Sequence, residues 1–129
     1  MKLDQTRFDE DLPKLLDAIE RLGRLLEQMR REGERRLNPP SSDRWAVVID
    51  DKRAFVKSWK KSVASAIQTK DYQGWELRNV LADMRAISRV MDLDTSGSAH
   101  APEFSAATTA IFELAKPLDN ALRGLRARP

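Results

Sequence analysis

The chain contains no cysteine and a single histidine, His100. Without cysteine there is no disulfide framework, no thiolate zinc site and no cysteine nucleophile. One imidazole excludes a two-His metal site within the chain. Any Ser-His-Asp arrangement would have to use His100, which lies in a Ser/Ala/Pro stretch with no nucleophile elbow beside it. The five glycines, Gly23, Gly33, Gly74, Gly97 and Gly124, are scattered, and none heads a GxxxxGK phosphate loop. No apolar run is long enough to span a membrane, and MKLDQTRFDED at the start has no apolar segment of the signal-peptide kind. A non-enzymatic protein in the cytoplasm, with no membrane insertion, is the expectation. At 129 residues it fits one domain, 1–129, large enough to bury a core without staples.

What is present is apolar periodicity. Phe8, Leu12, Leu15, Ile19, Leu22, Leu26 and Met29 follow a 4,3,4,3,4,3 spacing, with Leu16 and Leu25 widening the stripe. This predicts a helix that starts near Glu10 or Asp11, because Pro13 lacks an N–H and crowds the carbonyl of Asp9. Asn38-Pro39-Pro40 ends it. The run WAVVI at 45–49 favours strand by composition. Yet Trp45, Val48, Ile49, Phe55, Val56, Trp59, Val63, Ala66 and Ile67 fall within one arc of roughly 120° at helical pitch. One helix is therefore expected over 45–67, with Lys52 intruding on the arc and a break at Asp50-Asp51 as the alternative. A third helix is expected from Trp75 to Leu93, with Leu77, Val80, Leu81, Met84, Ile87 and Met91 inward. A fourth begins at Pro102, carries Phe104, Ala107, Ile111, Leu114, Leu118, Leu122 and Leu125, and kinks or restarts at Pro117. Four amphipathic helices with short connections describe an all-α, antiparallel four-helix bundle, the fourth helix kinked at Pro117. Trp45, Trp59, Trp75, Phe55 and Tyr72 are expected in its core.

The stretch DLDTSGSAHAPEF at 92–104 admits two readings. Asp92, Asp94, Ser96, Gly97, Ser98 and Glu103 occupy positions 1, 3, 5, 6, 7 and 12 of D-x-[DNS]-x-[DNS]-G-x5-E, between two expected helices. In this the stretch resembles the EF-hand calcium-binding loop. The resemblance covers residues 92–103 only, with Ala99 at position 8, His100 at position 9 and no second such loop in the chain. It implies calcium held by Asp92, Asp94, Ser96, Glu103 and the Ser98 carbonyl. The other reading is ordinary linker chemistry, with Gly97 ending a helix and Glu103 an acid in the first turn of the next.

Charge supplies the remaining candidates. Between Lys52 and Lys70 there are six bases and no acid, and Arg53, Lys57, Lys60 and Lys61 share roughly 100° of helix surface. Such a row suits an acidic protein partner or, alternatively, nucleic-acid phosphates. It is equally the solvated face of a bundle helix, offset by Asp9, Glu10 and Asp11 on a neighbour. Arg123, Arg126 and Arg128 form a second basic cluster. The width of the first stripe raises self-association as a homodimer, or else faces two neighbouring helices of its own chain. The expected function is binding of a macromolecular partner, foremost a protein, through helix faces, with calcium as a modulator if the 92–103 loop takes metal.

Overall fold

The computed structural model describes residues 3–126, and among them every regular element is a helix. In chain order these are α1 (Gln5–Arg36), α2 (Ser41–Thr69), α3 (Trp75–Arg85), α4 (Ile87–Val90) and α5 (Ala101–Arg126). α1 packs against α2 and α5, and α3 packs against α5 and α2. None of the described helices is long and apolar enough to cross a membrane.

α1 begins earlier than its proline predicts. It starts at Gln5, with the Asp4 carboxylate accepting the Arg7 amide at 3.3 Å, and runs straight through Pro13. Tertiary contacts outweigh the local penalty. Phe8 is fully buried and stacked on Tyr72, with ring centroids 5.3 Å apart. Asp9 accepts the Tyr72 hydroxyl and the Lys70 ammonium, the latter at 3.4 Å. The first two turns are thus tied to the far end of α2, and Asp9 is on the exposed side, where water reaches the carbonyl that Pro13 leaves without a donor.

All seven residues of the α1 stripe are buried, and Leu25 joins them with Leu16 half-buried against the same core. The wide stripe is consumed by the chain's own neighbours.

α2 is one unbroken helix from Ser41 to Thr69, so WAVVI is helical and nothing breaks at Asp50-Asp51. The phase of the whole segment overrides the β-like composition of five residues. Lys52 does lie on the inner arc, its side chain only 14% exposed and its ammonium 3.7 Å from Asp51. An aliphatic stem that packs while the charge reaches solvent accounts for this placement. The contacts between α1 and α2 join Asp9 to Lys70, Glu20 to Lys60 and Arg30 to Asp50. As one number rises the other falls, so the two helices run in opposite directions. Near their connection, the Trp45 indole N–H donates to the Met29 carbonyl at 2.9 Å and the ring lies on Gly33.

The third expected helix is shorter and interrupted. α3 ends at Arg85, Ala86 shares its amide between the Ala82 and Asp83 carbonyls at 3.1 Å each, and a single turn follows as α4. That tightening keeps Met84, Ile87 and Met91 all buried, but the helix stops at Val90 instead of Leu93. A short α3 leaves the N-terminal half of α2 less covered than its arc predicts. Val48 and Phe55, on the same side of α2 as the fully buried Trp59, are exposed. Trp75, the first residue of α3, projects past the core and is 66% exposed, against expectation. α5 continues across Pro117 without interruption and starts at Ala101, one residue before Pro102.

Two measurements probe this packing. A Cβ on Gly33 would lie 2.0 Å from Trp45 Cδ1, whereas one on Gly23 meets only Val56 Cγ1 at 3.3 Å. Alanine raises helix propensity at both sites by up to about 1 kcal/mol. G33A is expected to lose roughly 2 kcal/mol net through the displaced indole, while G23A stays within about 1 kcal/mol of the parent in urea denaturation. Tyr72, the chain's single tyrosine, is pushed up to about 12 by burial and by its bond to the Asp9 carboxylate. A phenol held protonated in the fold stabilises fully below its unfolded value near 10, and that contribution fades as pH rises towards 12. Absorbance near 295 nm should therefore stay flat through pH 10–11 in folded protein, while the melting temperature declines.

Candidate functional site

Two regions collect the candidate residues. The first is the connection from Met91 to His100. Asp94 accepts both the Ser96 amide, at 3.1 Å, and the Ser96 hydroxyl, at 2.7 Å, and these bonds hold its carboxyl below the usual range. The Ser98 amide donates to the Thr95 carbonyl at 2.9 Å, and the Ser98 hydroxyl accepts the His100 amide at 3.0 Å. Asp92 and Glu103 are exposed, and Glu103 is 4.0 Å from the His100 ring nitrogen Nδ1. Asp92, Asp94, Ser96, Ser98 and Glu103 thus lie in one loop and helix start, where Asp94, Ser96 and Ser98 take part in the local bonds. Among the described residues no three His, Cys, Asp or Glu groups come together as a metal cluster.

What fixes this loop is a residue the sequence reading passed over. Glu32 of α1 is only 8% exposed, and its Oε2 accepts the Ala99 amide at 3.0 Å and the Arg36 guanidinium at 3.4 Å. Arg36 also donates to the Gly97 carbonyl at 3.4 Å. Burial pushes the Glu32 carboxyl up, but the Ser98 hydroxyl, the Ala99 amide, His100 and Arg36 together bring it below its ordinary value. The signal was available, since Glu32 lies seven residues after Leu25 and so on the same buried side of α1. Glu32, Gly33, Arg36, Leu37, Trp45, Asp94 and the Ser96–Ser98 turn surround an open cleft of about 340 Å³.

The second region is the seam between α1 and α2. Gly23, Ala54 and Val56 form the floor of a shallow groove of about 520 Å³, edged by Asp50, Arg53, Lys57 and Lys60. Gly23 lies there beside the Val56 side chain. The stripe is partly neutralised from within the chain. Arg53 meets Asp50 at 3.3 Å, which also takes Arg30 at 3.0 Å, and Lys60 is 3.9 Å from Glu20. Arg30, then Arg53, hold the Asp50 carboxyl low. Lys57 and Lys61 are exposed and make no ion pair among the described residues. The acids that meet the stripe are Glu20 and Asp50. Of the expected set, Asp9 pairs with Lys70 and Asp11 with Arg7.

A second buried acid was also missed. Asp119 is fully buried on α5, where its Oδ2 takes Arg123 at 2.8 Å and Arg85 of α3 at 3.3 Å. Its position four residues after the buried Ala115 marks it as inward. Of the C-terminal basic cluster, Arg123 thus serves this pairing, while the side chains of Arg126 and Arg128 lie outside the described residues.

Comparison with protein-family models, curated proteins and solved structures finds no match for this chain.

Glu32→Gln tests the anchoring of the loop. Replacing a charge-assisted acceptor by a neutral one is expected to cost about 1–2 kcal/mol at pH 7. Because the folded carboxyl titrates below its unfolded value, the stabilisation is complete above that value and is lost as pH falls through the folded one. The gap in melting temperature between the parent and E32Q should therefore close on acidification below pH about 4.

Proposed function

We propose that this is a non-enzymatic binding protein that takes an acidic protein segment along the α1–α2 groove. The observation that carries the reading is the groove itself. Its lining holds three cations, Arg53, Lys57 and Lys60, against one acid, Asp50, above a floor of small and apolar groups. Lys61 extends the row beyond it. A helix carrying apolar and acidic side chains on one face matches a slot of this kind.

Nucleic acid is the alternative partner, and two features weigh against it. Glu20 and Asp50 answer Lys60 and Arg53 within the chain, so that Lys57 and Lys61 alone of the stripe lack an acid among the described residues, a number that suits one or two carboxylates of a peptide better than a run of phosphates. Of the aromatic residues interleaved with the stripe, Trp59 is fully buried and Phe55 is tilted against it with ring centroids 6.3 Å apart, which leaves no row of aromatics for successive bases.

The same proposal includes the arrangement of the rods. α1, α2, the α3–α4 pair and α5 form an antiparallel four-helix bundle, supported by the four helix pairs in contact, which close a ring. α5 bends at Pro117, whose ring crowds the Glu113 carbonyl. A cytoplasmic setting suits a chain without cysteine.

The test is a binding measurement with three probes: a Glu/Leu amphipathic helical peptide, its Lys/Leu counterpart and a single-stranded 20-mer. The acidic peptide is expected to bind and the basic one not. K57E/K61E should weaken the acidic peptide roughly tenfold with an unchanged melting temperature, since both lysines are exposed. Tighter binding of the oligonucleotide, with an affinity that falls steeply with salt, would replace this reading by the nucleic-acid one.

A further inference from the structure

The cleft between the end of α1, Trp45 and the 93–100 connection is separate from the α1–α2 groove and has a different chemistry. At about 340 Å³ it is the size of a pocket for a small ligand or a single side chain. Part of its lining is apolar, from the Trp45 indole, Leu37 and the bare backbone of Gly33. The indole is held in place by its bond to the Met29 carbonyl.

The rest of the lining is charged or polar. Glu32 is more than nine-tenths buried yet reaches the cleft, and Ala99 and Arg36 fix its carboxylate. Arg36 answers Glu32 directly. Asp94 is different, since it is exposed and has no basic group within ion-pair distance among the described residues. The lining therefore holds two carboxylates against one guanidinium, an excess of one negative charge in a chain whose net charge is +3.

That balance selects among ligands. An anion would meet two carboxylates, and a wholly apolar guest would strand the polar lining without partners. A hard metal ion needs several converging oxygens, and no cluster of three such groups occurs among the described residues. An organic cation satisfies both sides of the cleft, with its charge towards Asp94 and its carbon stem against the indole and Leu37. We infer that the cleft receives a small organic cation, an alkylammonium or alkylguanidinium group, with Asp94 as its charge partner and Trp45 as the wall for its stem. The same group comes either as a free amine or as the side chain of a Lys or Arg in a peptide.

The experiment uses the full chain, labelled with ¹⁵N, and follows the Trp45 indole N–H. Ethylguanidinium chloride, sodium propionate and n-propanol are titrated at constant ionic strength. Ethylguanidinium should move the Trp45 resonance saturably, and the anion and the alcohol should not. Asp94→Asn keeps the oxygen that accepts from Ser96 and removes only the charge, so it should weaken the cation roughly two- to fivefold. Leu37→Lys, at an exposed rim position, should weaken it at least as much. Unchanged circular dichroism shows that both variants remain folded. The inference fails if propionate or propanol gives the same response, if ethylguanidinium gives no saturable shift, or if D94N binds as tightly as the parent. Given the cation response, an acetylated and amidated Gly-Arg-Gly peptide that binds at least tenfold tighter than ethylguanidinium assigns a peptide side chain. Equal affinity assigns a free amine.

Discussion

The contact of Trp45 with Gly33 sets the register of the first two helices, and most of the surface follows from it. A large ring lies where any side chain on Gly33 would stand, so α1 and α2 meet in one longitudinal alignment. The indole bond to Met29 reinforces that position. Sliding either helix by a residue would carry the ring onto a bulky neighbour. From this alignment Val56 comes to rest on Gly23, Lys60 beside Glu20 and Asp50 beside Arg30. The groove edged by Arg53, Lys57 and Lys60 lies where Val56 rests on Gly23. The cleft near the connection of the two helices is walled by Trp45, whose ring stands on Gly33.

Long apolar patterns were legible in the sequence because burial dominates them. The seven-residue stripe of α1 is buried in full, and the phase held from Trp45 to Ile67 identified a helix where composition pointed to strand. Boundaries were less legible because they depend on tertiary partners. Pro13 predicts a helix start near Glu10, but no local rule anticipates Phe8 stacking on a tyrosine 64 positions away. Nor does any glycine or proline mark the interruption at Ala86. Phe55 and Trp75 have core-like character, and their exposure follows from the shortness of α3 and from a place at a helix tip.

Chemistry was harder to read than fold for a related reason. Periodic analysis follows apolar residues and treats charges as surface, yet Glu32 and Asp119 occupy buried phases of their helices. Each is matched by arginine, Arg36 in one case and Arg85 with Arg123 in the other. Buried carboxylates of this kind contribute less to net stability than apolar packing would, and their partners are where specificity is bought. Glu32 ties the 93–100 segment to α1 through a main-chain amide, and so a loop of small polar residues acquires one conformation.

That anchoring sets the conformation of the DLDTSGSAHAPEF stretch. In isolation its spacing of oxygens is a ligand pattern, because nothing in a linear pattern states which oxygens already have donors. In the fold Asp94 Oδ1 accepts from the Ser96 amide and hydroxyl, and the Ser98 hydroxyl accepts from the His100 amide. The carboxylate charge persists after these bonds are made, because neutral donors satisfy lone pairs without cancelling charge. Asp94 therefore remains a negative centre at the edge of a cleft with an aromatic wall, while Arg53, Lys57 and Lys60 line the groove on the α1–α2 seam. The linings of the cleft and of the groove thus differ in the sign of their charge.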